Sequence, residues 1–435
     1  MTALVIIGLF AFAGVCVWVM VSMLNRFPMV GLYLMGGFVI IAWDLPDSPA
    51  LVSAFGVQVK FEDAICLALM ASALSSVRVL GVNISRLWWA FAIFLLAVSL
   101  SLGFGILANG LQAVNEARAT LWLVIGVTWV LSRDWSAHFP SIRRFFLHIG
   151  LALTAVAALH LAIYGWGGAD SFVTTATGVL QTGRPLVSGQ AAVLLCCGLA
   201  MILTGGALRV VELLTGFGFI AVAILCMHRS VWVAAFAGLL VAAMSLRGRA
   251  LIATIYVAFY SAVILACAIT SGVLSALGEI VGHALSSDGT LNAREGSWSE
   301  LIDQSIQGGI GRIFFGASFG AGWGRVVDGA FVDFNPHNWY VVLYLRVGLL
   351  GLAAAVFILA IAAFRLFGRS SAMLAVLLAI GAYAWFYHLP WYTTPWLGVC
   401  LYVAYGSAAV SAGSWLNISK DSLSRMVLGK NTLKA

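Results

Sequence analysis

Long apolar runs separated by short polar connections dominate the chain. The runs are about 17–22 residues long, the length of an α-helix crossing roughly 30 Å of hydrocarbon, and they lack the alternation of transmembrane strands. A helix also satisfies its own backbone polar groups, as lipid requires. The pattern predicts an all-α, polytopic transmembrane bundle with runs at residues 3–24, 29–44, 63–80, 87–107, 118–132, 145–164, 186–204, 209–227, 230–246, 251–272, 338–363, 371–388 and 395–412. We expect about 12–13 spans from this count.

Composition supports a membrane location for these runs. The chain is 62% hydrophobic and 9% charged, whereas a soluble domain carries about 25% charged residues. The net charge of +7 fits the accumulation of basic residues on the cytoplasmic side of membrane proteins. Nucleic-acid binding is not predicted, because the chain has no basic stripe with interleaved aromatic residues.

Basic residues are shared unevenly between the two sets of connections. Odd-numbered connections hold eleven of the 23 Lys and Arg residues and the C-terminal tail holds four more, whereas even-numbered connections hold seven. Because basic residues favour the cytoplasm, we expect the odd connections and the C-terminus inside, and the even connections and the N-terminus outside.

The longest connection divides the chain into four regions. We predict an N-terminal bundle of about ten spans at 1–272, a long outer loop at 273–337, three C-terminal spans at 338–412 and a basic cytoplasmic tail at 413–435. Within the loop, Trp298, Leu301, Ile302 and Ile306 recur at helical spacing. This predicts an amphipathic helix over 296–307 on the membrane surface.

A glycine-rich stretch follows that helix, over residues 308–324. Its backbone could approach a ligand closely, or it could be a flexible linker. It lacks the G-K-[ST] sequence of a nucleotide P-loop.

The sequence Asn335-Pro336-His337-Asn338 precedes the eleventh predicted span. Asn335 suits an N-cap and Pro336 the first helical position, which would place His337 in the first turn. The helix dipole disfavours imidazolium there, and a neutral imidazole is what a general base needs. The alternative is a polar interfacial residue that helps to cap the helix.

Three arginines on the predicted outer side form a second group of candidates. Arg184 precedes the seventh span, Arg229 lies in a tight turn between two spans, and Arg294 precedes the amphipathic helix. Arginine is the preferred bidentate partner of phosphate oxygens. The alternative for each is an ordinary headgroup contact or ion pair. Arg346 lies about ten residues into its span, and we expect an ion pair or a carbonyl as its partner because buried charge in a membrane is costly.

The stretch from Arg294 to Gly351 resembles the C-terminal signature of the O-antigen ligase and Wzy-type O-antigen polymerase superfamily. The matching features are Arg294, Trp298, Phe315-Gly316 with Gly320, Pro336-His337-Asn338 and Arg346-Val347-Gly348-Leu349-Leu350-Gly351, together with the upstream turn His228-Arg229-Ser230. About sixty contiguous residues carry the resemblance. The thirteen runs differ from the twelve spans usual in the ligases.

The resemblance implies a bacterial glycosyltransferase of the cytoplasmic (inner) membrane, with its active site on the periplasmic face. Such enzymes move a glycan from undecaprenyl diphosphate to lipid A–core or to another lipid-linked repeat unit, without a metal or other cofactor. His337 would be the catalytic base, Arg229, Arg294 and Arg184 would hold the diphosphate, and Asn338 and Arg346 would support the site. A chain-length regulator is a further partner that the resemblance allows.

Two other functions stay open at the level of sequence. A polytopic transporter or flippase of lipid-linked glycans would use a similar bundle, although ion-coupled carriers usually place ionisable residues near the midplane. Here the acidic residues lie at span ends or in loops, and Arg346 stands alone in its span. A non-catalytic scaffold is the third possibility, and it would not require His337.

Overall fold

A computed structural model of the chain describes residues 2–41, 50–54, 57–85, 87–165, 172–175, 178–181, 183–204, 210–245, 289–327 and 329–406, with six further helical positions between 252 and 267. The predicted span 251–272 is thus largely outside the described residues, as are the tail 413–435 and the end of the last predicted span. The helices are α1 (Thr2–Arg26), α2 (Pro28–Ile41), α3 (Phe61–Leu74), α4 (Val77–Ile84), α5 (Trp88–Asn109), α6 (Gln112–Leu131), α7 (Phe139–Tyr164), α8 (Ser188–Thr204), α9 (Val210–Leu225), α10 (Arg229–Ser245), α11 (Gly289–Gln307), α12 (Ile310–Phe315), α13 (Trp339–Phe367), α14 (Ser371–Ala384) and α15 (Thr394–Tyr405).

Among the described residues, short antiparallel hairpins interrupt this helical architecture at three connections. Strand β1 (Ala50–Ala54) pairs with β2 (Val57–Lys60), β3 (Phe172–Thr175) with β4 (Gly178–Gln181), and β5 (Arg325–Val327) with β6 (Ala330–Val332). In the last hairpin Arg325 lies opposite Val332 and Val327 lies opposite Ala330. The apolar runs predicted none of these strands, because each hairpin is only a few residues long.

Bends shorten several of the apolar helices. In the part of the chain that is described, three helices are long and apolar enough to cross a membrane, namely α5, the segment Ser136–Tyr164 that contains α7, and α13. The number rises to five if each bent pair is one span, since α1 and α2 meet at 112° and α3 and α4 at 79°. Helices α8, α9, α10 and α14 are apolar but shorter. The mostly helical fold is confirmed, whereas the count of about 12–13 full spans remains a prediction.

Glycines allow the helices of the bundle to approach closely. A Cβ on Gly198 of α8 would lie 2.7 Å from the carbonyl oxygen of Gly216 on α9, so the two backbones touch. A Cβ on Gly36 would similarly lie 2.7 Å from the ring of Phe145. Small residues at helix contacts are typical of membrane bundles, in which packing rather than the hydrophobic effect drives association. Large apolar side chains face outward instead, such as Leu107, Phe236 and Phe364, as expected for surfaces that contact lipid.

The bundle has two ends that the contacts between helices define. At one end, Asp63 pairs with Arg118 at 3.3 Å and the Nε2 of Gln190 donates to the carbonyl oxygen of Val39 at 2.7 Å. At the other, Tyr402 donates to Asp134 at 2.9 Å. We call the first of these the site end, and it holds the described basic residues of the even-numbered connections, Lys60, Arg118, Arg184, Arg229, Arg294, Arg312 and Arg325. Those of the odd-numbered connections lie at the opposite end, Arg26, Arg78, Arg133, Arg143, Arg144, Arg365 and Arg369.

Candidate functional site

The glycine-rich stretch is held against the bundle at the site end. The backbone N–H of Gly320 donates to Oε2 of Glu116 on α6 at 2.8 Å, and Nδ2 of Asn109 on α5 donates to the carbonyl oxygen of Phe319 at 3.0 Å. The N–H of Ala317 donates to the carbonyl oxygen of Leu345 at 2.7 Å. These bonds fix the segment in place, so of the two interpretations of the stretch the flexible linker is wrong.

Two glycines let this stretch pass directly over a break in α13. Gly316 and Gly348 have φ of +78° and +68°, which non-glycine residues rarely adopt. A Cβ on Gly348 would lie 2.2 Å from the carbonyl oxygen of Phe314, and one on Gly316 would lie 2.6 Å from the carbonyl carbon of Arg346. The backbones at Gly316 and Gly348 are therefore in direct contact, an arrangement we call back to back. Helix α13 consists of two helical pieces joined at Gly348.

Arg346 lies just before this break and has several partners. Its Nε is ion-paired with Glu116, its Nη2 donates to the carbonyl oxygen of Gly322, and its guanidinium carbon lies 3.7 Å from the ring centroid of Trp323. The expectation of an ion pair or a carbonyl partner is confirmed, and both are present. The interpretation of Arg346 as a lone charge is wrong, because Glu116 lies one turn into α6 and reaches it.

The helix after His337 begins later than the sequence suggested. Asn338, not Asn335, is the N-cap of α13, and its side-chain oxygen accepts hydrogen bonds from the N–H groups of Tyr340 at 3.0 Å and Val341 at 3.1 Å. His337 therefore precedes the cap and does not occupy the first turn. The predicted cap at Asn335 fails because Asn338 has the extended backbone and the side-chain geometry that cap the helix.

His337 lies between two aromatic rings, with an arginine beside one of them. Its ring centroid is 5.9 Å from that of Phe334 and 5.5 Å from that of Tyr387. The guanidinium carbon of Arg294 lies 5.1 Å from the Tyr387 centroid, and its Nη2 donates to the Tyr387 hydroxyl at 3.5 Å. The structure therefore brings the predicted residues His337 and Arg294 together, since both contact Tyr387.

The electrostatic surroundings of His337 favour its neutral form. Burial of the ring lowers the pKa of His337, and the positive charges of Arg294 and Arg325 lower it further. The direction agrees with the one expected from the helix dipole, and burial, Arg294 and Arg325 all act in that direction. Nearby His388 has its pKa lowered to about 4 by burial and by His337.

Arg184 is held by a neutral histidine. Its Nη1 lies 2.9 Å from Nδ1 of His228, and Nε2 of His228 lies 2.8 Å from the carbonyl oxygen of Leu186. The carbonyl can only accept, so Nε2 carries the proton and Nδ1 accepts from the guanidinium. Burial and the charge of Arg184 lower the pKa of His228 to about 3. Arg229 follows at once as the first residue of α10, so the turn brings Arg184 and Arg229 to one corner of the site end.

A chain of side chains joins this corner to His337. Ser188 is the first residue of α8, and its hydroxyl oxygen lies 3.0 Å from the hydroxyl oxygen of Tyr383. The ring of Tyr383 stacks on that of Tyr387 at 5.5 Å and an angle of 8°. Tyr387 in turn contacts both His337 and Arg294.

Sequence reasoning missed four residues of this site. Glu116, Arg325, Tyr383 and Tyr387 carry its contacts, but none was a candidate. A signal existed for two of them, since Glu116 is an acid at the edge of an apolar run and Tyr387 directly precedes His388. Tyr383 had no local signal, because its partner Ser188 is 195 positions away in sequence. Nothing in the sequence around Arg325 distinguished it from the other basic residues of the even-numbered connections.

Helix α11 carries the amphipathic pattern but begins earlier than predicted, at Gly289. Its buried residues Trp298 and Leu301 face the protein, and Leu301 packs in a small apolar cluster with Trp323, Val342 and Leu345. Ile306 and, on the next helix, Ile310 and Phe315 are exposed. The apolar side chains of this region are therefore divided between a protein contact and an outward surface.

Two apolar cavities flank the first turn of α13. A cavity of about 70 Å³ lies between α5, α6, α13 and α15, and one of about 210 Å³ lies between α13 and α14. Trp339, two residues after His337, lines both cavities. The two cavities are therefore linked to the candidate base through Trp339, which is close to it in sequence.

Among the described residues, no group of three or more His, Cys, Asp or Glu side chains has the geometry to hold a metal ion. No protein-family model matches the chain, and no curated protein matches it either.

Proposed function

We propose that the protein is a metal-independent inverting glycosyltransferase that transfers a glycan from undecaprenyl diphosphate to an acceptor hydroxyl in O-antigen or exopolysaccharide assembly. The observation that carries the proposal is the placement of His337. The imidazole of His337 is partly exposed to solvent, its surroundings favour the neutral form, and it lies near Arg294 at the same end of the bundle as Arg184 and Arg229. Polymerisation of lipid-linked repeat units is slightly favoured over ligation to lipid A–core.

In this reaction His337 is the general base. The hydroxyl oxygen of the acceptor attacks the anomeric carbon of the donor. At the same time the hydroxyl proton passes to the unprotonated ring nitrogen of His337. The bond from the anomeric carbon to the diphosphate oxygen breaks, and its electron pair leaves with undecaprenyl diphosphate. Direct displacement inverts the anomeric carbon.

The arginines balance the charge of the leaving group. Arg229, Arg294 and Arg184 offer guanidinium groups whose planar forks suit phosphate oxygens. Fixed cations that face the developing charge stabilise it without rearrangement during the reaction. The arrangement of Arg184 supports this role, because its described partner is a neutral imidazole rather than a carboxylate that would cancel its charge.

The apolar cavities beside Trp339 are consistent with a donor that carries a polyprenyl chain. The chain would enter from lipid between helices, while the diphosphate stays at the site end with the arginines. A location in the bacterial inner membrane with the site end facing the periplasm follows from the same proposal, because the glycan is presented on that face.

The test is a reconstitution of the purified protein in nanodiscs with a synthetic undecaprenyl-diphosphate glycan and candidate acceptors. The proposal expects longer lipid-linked glycan, or acceptor of increased mass, with release of undecaprenyl diphosphate. Inclusion of both acceptor classes separates polymerase from ligase. Movement of labelled donor across vesicles with no change in glycan length would instead favour a transporter and contradict the proposal.

A further inference from the structure

Arg325 is a buried charge at the base of an exposed hairpin. Only 2% of Arg325 is exposed, whereas Val326 beside it and Phe331 on the paired strand are largely exposed. A guanidinium is almost never buried to this degree unless it is bonded to specific partners, because loss of its hydration is costly.

The partners of Arg325 come from three different segments. Its Nε donates to the hydroxyl of Ser297 on α11 at 2.7 Å. Its Nη1 donates to the carbonyl oxygens of Trp323 and Phe334, each at 2.8 Å, and its guanidinium carbon lies 4.7 Å from the Phe334 ring centroid. The planar fork of an arginine can join these groups at fixed angles, which a lysine cannot do.

Two of these segments carry the candidate chemistry. Ser297 lies about one helical turn after Arg294 on α11, and Phe334 contacts His337 through its ring. Arg325 therefore connects the backbone before the base to the helix that carries the phosphate-binding arginine. We propose that Arg325 is a positioning residue that sets the spacing and orientation of His337 and Arg294. This inference rests on the proposed function for its catalytic consequence, although the contacts themselves do not.

The charge of Arg325 also acts on His337. The charged or titratable groups that face His337 are Arg294 from α11, Arg325 from β5, and Tyr387 and His388 from the segment after α14. Asp333 lies near Arg325 and partly offsets its charge. The pKa of His337 should rise when Arg325 loses its charge, and this effect separates its electrostatic role from its hydrogen bonds.

The test compares Arg325→Lys and Arg325→Met with wild type and with Arg312→Met, which removes an exposed arginine nearby on α12. Two quantities are measured: glycan transfer against pH, and the rate of diethylpyrocarbonate modification of His337 against pH by mass spectrometry. The second reports the pKa of His337 without any need for activity.

Arg325→Lys keeps the positive charge but loses the planar fork of the guanidinium. We expect turnover to fall by about tenfold or more, because catalytic groups that are displaced from their positions contribute less to the rate. The pKa of His337 should stay near its wild-type value. Arg325→Met should lower turnover by a similar or larger factor and also raise the pKa of His337. Arg312→Met should leave both quantities unchanged.

Ser297→Ala provides a milder variant in case the Arg325 variants do not fold. It removes the acceptor of Nε alone, and we expect a smaller fall in turnover with the pKa of His337 unchanged. Wild-type turnover in Arg325→Lys or in Ser297→Ala would overturn the inference. Absence of glycan transfer by wild type would contradict the proposed function instead, and the His337 titration in Arg325→Met would then still decide whether Arg325 acts on that histidine.

Discussion

Glu116 on α6 and Arg346 on α13 form a buried ion pair between residues that are 230 positions apart in sequence. The second carboxylate oxygen of Glu116 accepts from the N–H of Gly320, and Arg346 also donates to the carbonyl oxygen of Gly322. The pair therefore binds the glycine-rich stretch at two backbone positions, the N–H of Gly320 and the carbonyl oxygen of Gly322. This stretch leads directly into the hairpin that carries Arg325 and then to His337.

Removal of Glu116 should destabilise the protein severely. Glu116→Ala leaves the buried guanidinium of Arg346 without its counter-charge, which costs on the order of 3–5 kcal/mol in the free energy of unfolding. The double variant Glu116→Leu with Arg346→Met should lose less free energy of unfolding than the sum of the losses in Glu116→Leu and in Arg346→Met, because neither charge is then left without its partner. Denaturant unfolding in mixed micelles, followed by tryptophan fluorescence, measures the free energy of unfolding of each variant.

Glu295→Ala is the matched control for that experiment, because Glu295 is an exposed acid of the same site end. It should change the free energy of unfolding by less than about 1 kcal/mol. If Glu116→Ala were no more destabilising than Glu295→Ala, the ion pair would not hold the stretch.

The break in α13 should not tolerate a side chain. Gly348→Ala places a Cβ where the carbonyl oxygen of Phe314 lies 2.2 Å away and forces a positive φ on alanine. The backbone strain alone costs about 1–3 kcal/mol, and the clash adds to it. Gly103→Ala on α5 is the control, since a Cβ there meets nothing within 4 Å, and alanine should be neutral or slightly stabilising in a helix. Equal thermal stability of the two variants would contradict the back-to-back arrangement.

The pH dependence of activity should report the cations around His337. Because partial burial, Arg294 and Arg325 all lower the pKa of His337, this histidine should stay neutral below the usual histidine pKa of about 6.5, and the acidic limb of kcat/KM should lie below that pH. Arg294→Gln removes one cation, so the pKa of His337 should rise and activity should be lost at a higher pH than in wild type. Arg144→Gln, an exposed arginine at the opposite end, should leave the limb in place. A limb that stays or moves to lower pH in Arg294→Gln would be evidence against this arrangement.

The turn at His228 should affect donor binding more than turnover. His228→Leu removes the acceptor that holds Arg184, and a hydrogen bond to a charged group contributes about 1.5–3 kcal/mol. We expect the KM for the lipid-linked donor to rise by roughly tenfold or more, with kcat nearly unchanged. His148→Leu, a histidine at the opposite end, is the control. A fall in kcat with unchanged KM would show that Arg184 does not bind the donor.

The sequence predicted the helices well because each apolar run is long and bounded by polar residues. Predicted spans such as 87–107 and 186–204 lie within a few residues of α5 and α8. The break between α1 and α2 coincides with a predicted connection, whereas the bend between α3 and α4 inside the predicted span 63–80 and the break at Gly348 were not predicted. The glycines of Arg346–Gly351 were recognised as a motif, but only the structure shows that Gly348 faces Gly316.

The candidate site was predicted only in part, because residue type and position along the chain identify some of its residues but not their contacts. His337, Arg294, Arg229 and Arg184 could be chosen because their residue types and positions suit the chemistry. Asn335 was chosen as the cap on residue preference alone, which Asn338 satisfies equally well from a later position. Glu116, Arg325 and Tyr387 were not chosen, because contacts with other segments of the chain give them their place in the site. The local signals for Glu116 and Tyr387 do not name those partners.

The proposed role of His337 is tested most directly by the rate of glycan transfer by His337→Ala in the reconstituted system, with and without added imidazole. His148→Ala is the matched control. If His337 is the general base, transfer should fall by about 10²–10⁴-fold, the usual contribution of such a base, with partial recovery by imidazole and unchanged binding of the donor. Transfer by His337→Ala at the rate of wild type would contradict that role.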